Sequence, residues 1–114
     1  MIVANPPPPT TFPARSEVLA IVGSGEYLPQ MNEVDRQLIE LFDTPPRVVC
    51  LPTAAGREGD AMIDSWAQRG VDHFAGLGVE AESVRVWDRA SANDPALTER
   101  IAAADFVYLS GGNP

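Results

Sequence analysis

Residues 94–112 read DPALTERIAAADFVYLSGG, a complete helix-to-strand unit. Asp94 before Pro95 marks a helix start. The aspartate can accept a first-turn N–H, and proline at the first helical position has no N–H to leave unpaired. Leu97, Ile101 and Ala104 then recur at i, i+4 and i+7 and form one apolar stripe. After Ala104 the period changes. Asp105-Phe106-Val107-Tyr108-Leu109 reads as a buried strand, and Ser110-Gly111-Gly112 breaks it.

The same alternation extends upstream. Val18-Leu19-Ala20-Ile21-Val22, ended by Gly23, predicts a strand buried on both faces. Val34, Leu38 and Leu41 predict a helix from Glu33 to Phe42, stopped by Thr44-Pro45-Pro46. Arg47-Val48-Val49-Cys50-Leu51 is a second strand, closed by Pro52. Asp60 to Leu77 is the longest helical stretch, with Ile63, Trp66, Phe74 and Leu77 on or near one face and Gly76 and Gly78 at its end. Val84-Arg85-Val86-Trp87 alternates as a third strand, with a start as early as Val79. The order β-α-β-α-β-α-β implies an α/β three-layer sandwich around a parallel sheet of about four strands. Right-handed crossovers and the flavodoxin-like precedent favour strand order 2-1-3-4. In that order the fourth strand has a free flank, exposing Phe106 or Tyr108.

With 114 residues the chain has room for one small domain. Residues 1–16 carry Pro6-Pro7-Pro8-Pro9 and Pro13 and read as a disordered proline-rich tail, or as a docking peptide for a proline-binding domain. Residues 17–114 form the domain. The net charge of −8 opposes binding to nucleic acid or to an anionic membrane, both of which need clustered positive charge. All 8 basic residues are arginine, so a P-loop lysine, a Schiff-base lysine and a Ser-Lys dyad are excluded within the chain. Cys50 and His73 are the single cysteine and histidine, which rules out a disulfide framework and argues against a zinc cluster. No metal or cofactor is expected. There is no secretory leader pattern and no apolar stretch near the roughly 20 residues of a membrane span, so a soluble cytoplasmic protein is the default.

Ligands of open α/β sheets bind beyond the carboxyl ends of the strands. Four loops are expected there: Gly23-Ser24-Gly25-Glu26, Pro52-Thr53-Ala54-Ala55-Gly56, Asp88-Arg89, and Ser110-Gly111-Gly112-Asn113. The first has G-x-G, but Leu28 stands at the third glycine position of a dinucleotide fingerprint and Pro29 follows. A tight turn that needs glycine dihedrals accounts for it. The last has two readings. It is either a plain turn or a pair of unobstructed backbone N–H donors of the kind an oxyanion hole requires.

Taken in order, Ile21-Val22-Gly23-Ser24-Gly25-Glu26, Cys50-Leu51-Pro52-Thr53-Ala54-Ala55 and Val107-Tyr108-Leu109-Ser110-Gly111-Gly112-Asn113 resemble peptidase family S51, which includes dipeptidase E and cyanophycinase. The resemblance covers about Val18 to Asn113. It implies the class I glutamine-amidotransferase-like fold and a serine hydrolase acting on a small peptide or amide. It implies catalytic-centre positions at Gly111, Gly112 and Asn113, the two glycines as oxyanion donors. It implies substrate contacts at Gly23, Ser24, Gly25, Glu26 and Thr53. The family's nucleophile is a serine in a G-x-S-A-G elbow after a fifth strand, with its histidine partner later still. Neither lies in these residues, so the chain is expected to be the N-terminal half of such a domain and inactive alone. Pro114 departs from the family pattern and removes one backbone N–H.

No residue present replaces the elbow. Ser24 and Ser110 lack G-x-S-x-G spacing. Cys50 reads as a buried structural thiol and His73 as a solvated helix histidine. Asp88 follows the third strand, where a phospho-accepting receiver keeps its aspartate. With no lysine and no acidic pair after the first strand, it reads instead as a loop or capping residue. Two other classes remain, a non-catalytic binding or assembly module and a glutamine-amidotransferase-like domain, which would need a cysteine elbow. Either association into a homo-oligomer through the free edge of the fourth strand or poor solubility is expected.

Overall fold

The computed structural model describes residues 2–4 and 17–112. The strands are β1 Ile2–Ala4, β2 Val18–Ala20, β3 Val48–Leu51, β4 Ala81–Ser83 and β5 Phe106–Leu109. The helices are α1 Asn32–Ile39, α2 Asp60–Gly76, α3 Arg89–Ala92 and α4 Pro95–Ala102. The α/β class and the three layers are those the sequence implies. The sheet has five strands in the order β2-β1-β5-β3-β4. β3 runs parallel to both β4 and β5, whereas β1 runs antiparallel to both β2 and β5. It follows that β2 points the same way as β3, β4 and β5.

The order 2-1-3-4 is therefore corrected. The strand Val48–Leu51 lies beside Phe106–Leu109 and Ala81–Ser83, not beside Val18–Ala20. Phe106 and Tyr108 are fully buried, packed on one face of the sheet against Phe74 of α2, while strands on both flanks pair the backbone of β5. Burying each ring contributes about 1.5–3 kcal/mol. Ile2–Ala4, which falls in the expected tail, supplies the second neighbour, with Ile2 opposite Tyr108 and Ala4 opposite Phe106. The expected free flank of the last strand is thus filled. The rest of the proline-rich segment lies outside the described residues. Val18–Ala20, expected to be buried on both faces, is an edge strand, with Leu19 58% and Ile21 81% exposed.

Alternation divides the core between the two faces. Val48, Cys50, Phe106 and Tyr108 turn to one face, with Ile2, Ala4, Leu38, Phe42 and Phe74. Val49, Leu51, Val107 and Leu109 turn to the other, against Leu97 and Ile101 of α4. On the first face Phe74 meets Phe106 and Tyr108 edge-on, at 5.6 and 5.8 Å between ring centroids. Gly70 lets α2 approach the sheet closely. A Cβ there would come within 2.9 Å of Cys50 Sγ and 3.0 Å of the Tyr27 ring.

Several local signals hold. Asp94 caps α4 by accepting the Ala96 N–H at 3.0 Å. Helix α2 ends at Gly78 (φ +80), where Val79 N–H reaches Phe74 O and Gly78 N–H reaches Ala75 O. The third strand is displaced toward the N-terminus: the ladder pairs Ala81–Ser83 with Val48–Cys50, and the chain turns away after Val84. The α1 stripe is rotated by one position. Val34 and Leu41 are exposed, and the buried face is Asp35, Leu38 and Phe42.

Candidate functional site

Because β2, β3, β4 and β5 share one direction, the loops that follow them leave the sheet at one edge. The loops after β2, β3 and β5 make direct contact there. Gly25 (φ +86) opens a turn closed by Leu28 N–H to Gly25 O at 3.0 Å. Within it Tyr27 adopts φ +65, a conformation that costs a non-glycine residue about 1–2 kcal/mol. Its buried ring offsets this cost, lying 4.6 Å from the Tyr108 ring and between Trp66, His73 and Phe74. The anchored turn delivers Glu26, whose Oε1 accepts the Gly111 N–H at 3.1 Å across the top of the sheet.

Residues 53–55 form a 3-10 turn after Pro52. Gly112 packs against it so closely that a Cβ would overlap the Ala54 carbonyl oxygen. The contact requires glycine for clearance, independent of its dihedral freedom. The Thr53 hydroxyl donates to Val86 O at 2.6 Å, tying this loop to the chain after β4. At the base of the glycine loop, Ser110 donates its N–H to Leu51 O. Among the described residues the Gly112 N–H has no acceptor.

Of the positions singled out in the sequence, Gly25, Glu26, Gly111 and Gly112 are thus brought together. Thr53 is adjacent, with its hydroxyl committed to Val86. Gly23 and Ser24 are exposed on the approach to the turn. Asn113 lies outside the described residues. Asp88 caps α3 through a reciprocal pair with Ser91, and this hydrogen bonding holds its carboxyl below the usual range.

Beneath the loops lies a polar cluster that the sequence only partly discloses. Cys50 is buried as expected, and burial, eased by the neighbouring Tyr27 hydroxyl, pushes its thiol up to about 11. It therefore stays protonated and unreactive at neutral pH. Burial also raises the Tyr27 and Tyr108 phenols. Ser110 and Cys50 lie close to the Tyr27 hydroxyl, but the hydroxyls of Tyr27, Tyr108 and Ser110 close no hydrogen bond of full geometry among the described residues. His73 corrects its reading as a solvated helix residue. Its side chain is 4% exposed and Nε2 lies 2.7 Å from Oδ2 of the fully buried Asp35. The sequence carries no local sign of this pair, because Asp35 lies off the expected Val34–Leu38–Leu41 stripe. Nothing local ties it to a histidine 38 positions away.

A concavity of about 370 Å³ lies at the opposite edge, by the N-terminal ends of β3 and β4, between Pro45, Arg47, Glu80 and Glu82. Glu82 there is paired with Arg100, and no nucleophile lines it. The convergent loops, not this hollow, bring together the positions singled out in the sequence. Among the described residues no three His, Cys, Asp or Glu side chains converge as a metal site would require, and no helix is long and apolar enough to cross a membrane.

Comparison with known proteins places these loops in context. The family model for peptidase family S51 matches residues 19–114. The crystal structure of a peptidase from an acI-B1 Actinobacterium is similar at a TM-score of 0.73 and 40% identity, over 82% of this chain and 39% of that one. The chain thus spans 39% of the length of that peptidase. No curated protein matches it. The chain belongs to peptidase family S51.

Proposed function

We propose that this member of peptidase family S51 furnishes the donor-bearing wall of a serine-type acyl-transfer site for a small peptide or amide. The nucleophile in this reading comes from a G-x-S-x-G elbow that is not among the 114 residues. A serine oxygen attacks the substrate carbonyl, and the Gly111–Gly112 loop offers a backbone N–H to the oxyanion. Collapse of the tetrahedral intermediate breaks the C–N bond and expels the protonated amine, and water then releases the acid and restores the serine hydroxyl. The observation that carries the reading is the convergence of Gly25-Glu26, Ala54 and Gly111-Gly112 at the carboxyl edge of the sheet. Fixed backbone donors suit developing negative charge, and removing one from such a site typically costs about 10²–10³ in rate.

In this reading the 114 residues alone hydrolyse nothing, since no serine or cysteine among the described residues has a base in place. The encoding gene tests it. A reading frame that runs on past codon 114 should specify the elbow within about one helix and one strand. A continuous frame without it contradicts the assignment.

One observation favours a second reading, a self-sufficient binding module. Ile2–Ala4 covers the flank of β5 and leaves Phe106 and Tyr108 fully buried. Gel filtration with thermal unfolding separates the two. A soluble species that unfolds cooperatively supports the module, and an aggregating one supports the incomplete domain.

A further inference from the structure

We propose that Glu26 is a positioning residue for the glycine loop: its carboxylate takes up the Gly111 N–H and so leaves the Gly112 N–H as the backbone donor available to a substrate oxyanion. The proposal rests on the acyl-transfer reading for its purpose, but its structural content stands apart from that reading. Two adjacent glycines at the end of a strand can turn either peptide toward a ligand, and their sequence does not say which.

Two contacts and one unused donor decide between them. The Gly111 N–H is held by Glu26 Oε1 at 3.1 Å, so using it for an oxyanion would break a charge-assisted hydrogen bond. The carboxylate would also lie next to the developing negative charge, which is repulsive. Gly112 is pressed against the Ala54 carbonyl, which fixes the backbone at Gly112 itself. The Gly112 N–H alone of the pair has no acceptor among the described residues.

Glu26 is itself held. Tyr27, next in the chain, is locked in the core at φ +65 with its ring against Tyr108, two residues before Ser110 on the same strand. The turn and the glycine loop therefore share one foundation, and the backbone that carries Glu26 is held at a fixed place relative to Gly111. Among the described residues no ion pair involves Glu26: those formed by Arg36, Arg85 and Arg100 involve Glu33, Asp60, Asp64 and Glu82.

Amide hydrogen exchange and through-hydrogen-bond coupling on the isotopically labelled 114-residue chain test this. In the wild-type chain a scalar coupling should connect Gly111 ¹⁵N to Glu26 ¹³Cδ, and Gly111 should exchange at least about tenfold more slowly than Gly112. Glu26→Ala should abolish the protection of Gly111. Glu26→Gln keeps a carbonyl acceptor at the same reach and should restore most of it. Absence of the coupling, equal exchange at the two glycines, or a Glu26→Gln variant indistinguishable from Glu26→Ala would overturn the proposal. The wild-type coupling decides the matter even where a variant fails to fold. None of these readouts involves turnover, so failure of the hydrolase reading would leave them unchanged.

Discussion

At Gly112 a single methyl group separates tolerance from disruption. A Cβ there would overlap the Ala54 carbonyl oxygen, whereas one at Gly23 would meet nothing within 4 Å. Gly112→Ala should therefore destabilise the chain by about 1–3 kcal/mol, as overpacking does. Gly23→Ala should stay within about 0.5 kcal/mol of the parent, and urea unfolding of both variants checks the contrast. Cys50 gives a pH-dependent counterpart. Its thiol lies at about 11 in the fold, above its ordinary 9.0, because it is buried. Below pH 9 the folded and unfolded states both keep the proton. Between about 9 and 11 the unfolded chain releases it and the folded chain does not, so stability falls as pH rises. Tyr27 and Tyr108, also raised by burial, extend the loss to higher pH. Unfolding free energies measured from pH 8 to 11 should decline, with a shallower slope in Cys50→Ala.

At the scale of elements, legibility follows the range of the interactions. Helix α4 is readable because Asp94, Pro95 and the Leu97–Ile101 stripe act within a few residues of one another. The face of α1 is not, because the residue that turns it inward is Asp35, and its partner His73 stands on α2. A buried aspartate looks like a solvent-facing one until its partner is known. His73→Ala should cost about 3–5 kcal/mol by leaving that carboxylate without its partner. Thermal unfolding that shows less than about 1 kcal/mol would mean the pair does not join α1 to α2. Strand Ile2–Ala4 escapes for a related reason. Three residues are too short for a periodic signal, and the flank that recruits them forms more than 100 residues later, at Phe106 and Tyr108.

At the scale of the molecule, the class and layers follow from alternating periods, while strand order depends on pairings between strands far apart in the chain, such as Ile2–Ala4 with β5. The convergence of the loops follows from strand direction alone, which is why Gly25, Glu26, Gly111 and Gly112 could be grouped from the sequence although the order of strands could not. The Glu26–Gly111 bond spans 85 positions and required the fold to become visible. The proposal at this scale is that this chain, a member of peptidase family S51, contributes donors and no nucleophile. Treatment of the 114-residue chain with a serine-directed fluorophosphonate, read by mass spectrometry, tests it most directly. The account predicts no stoichiometric adduct on any serine, including the buried Ser110 and the exposed Ser24. A single serine labelled to completion would show an activated nucleophile within these residues and contradict it.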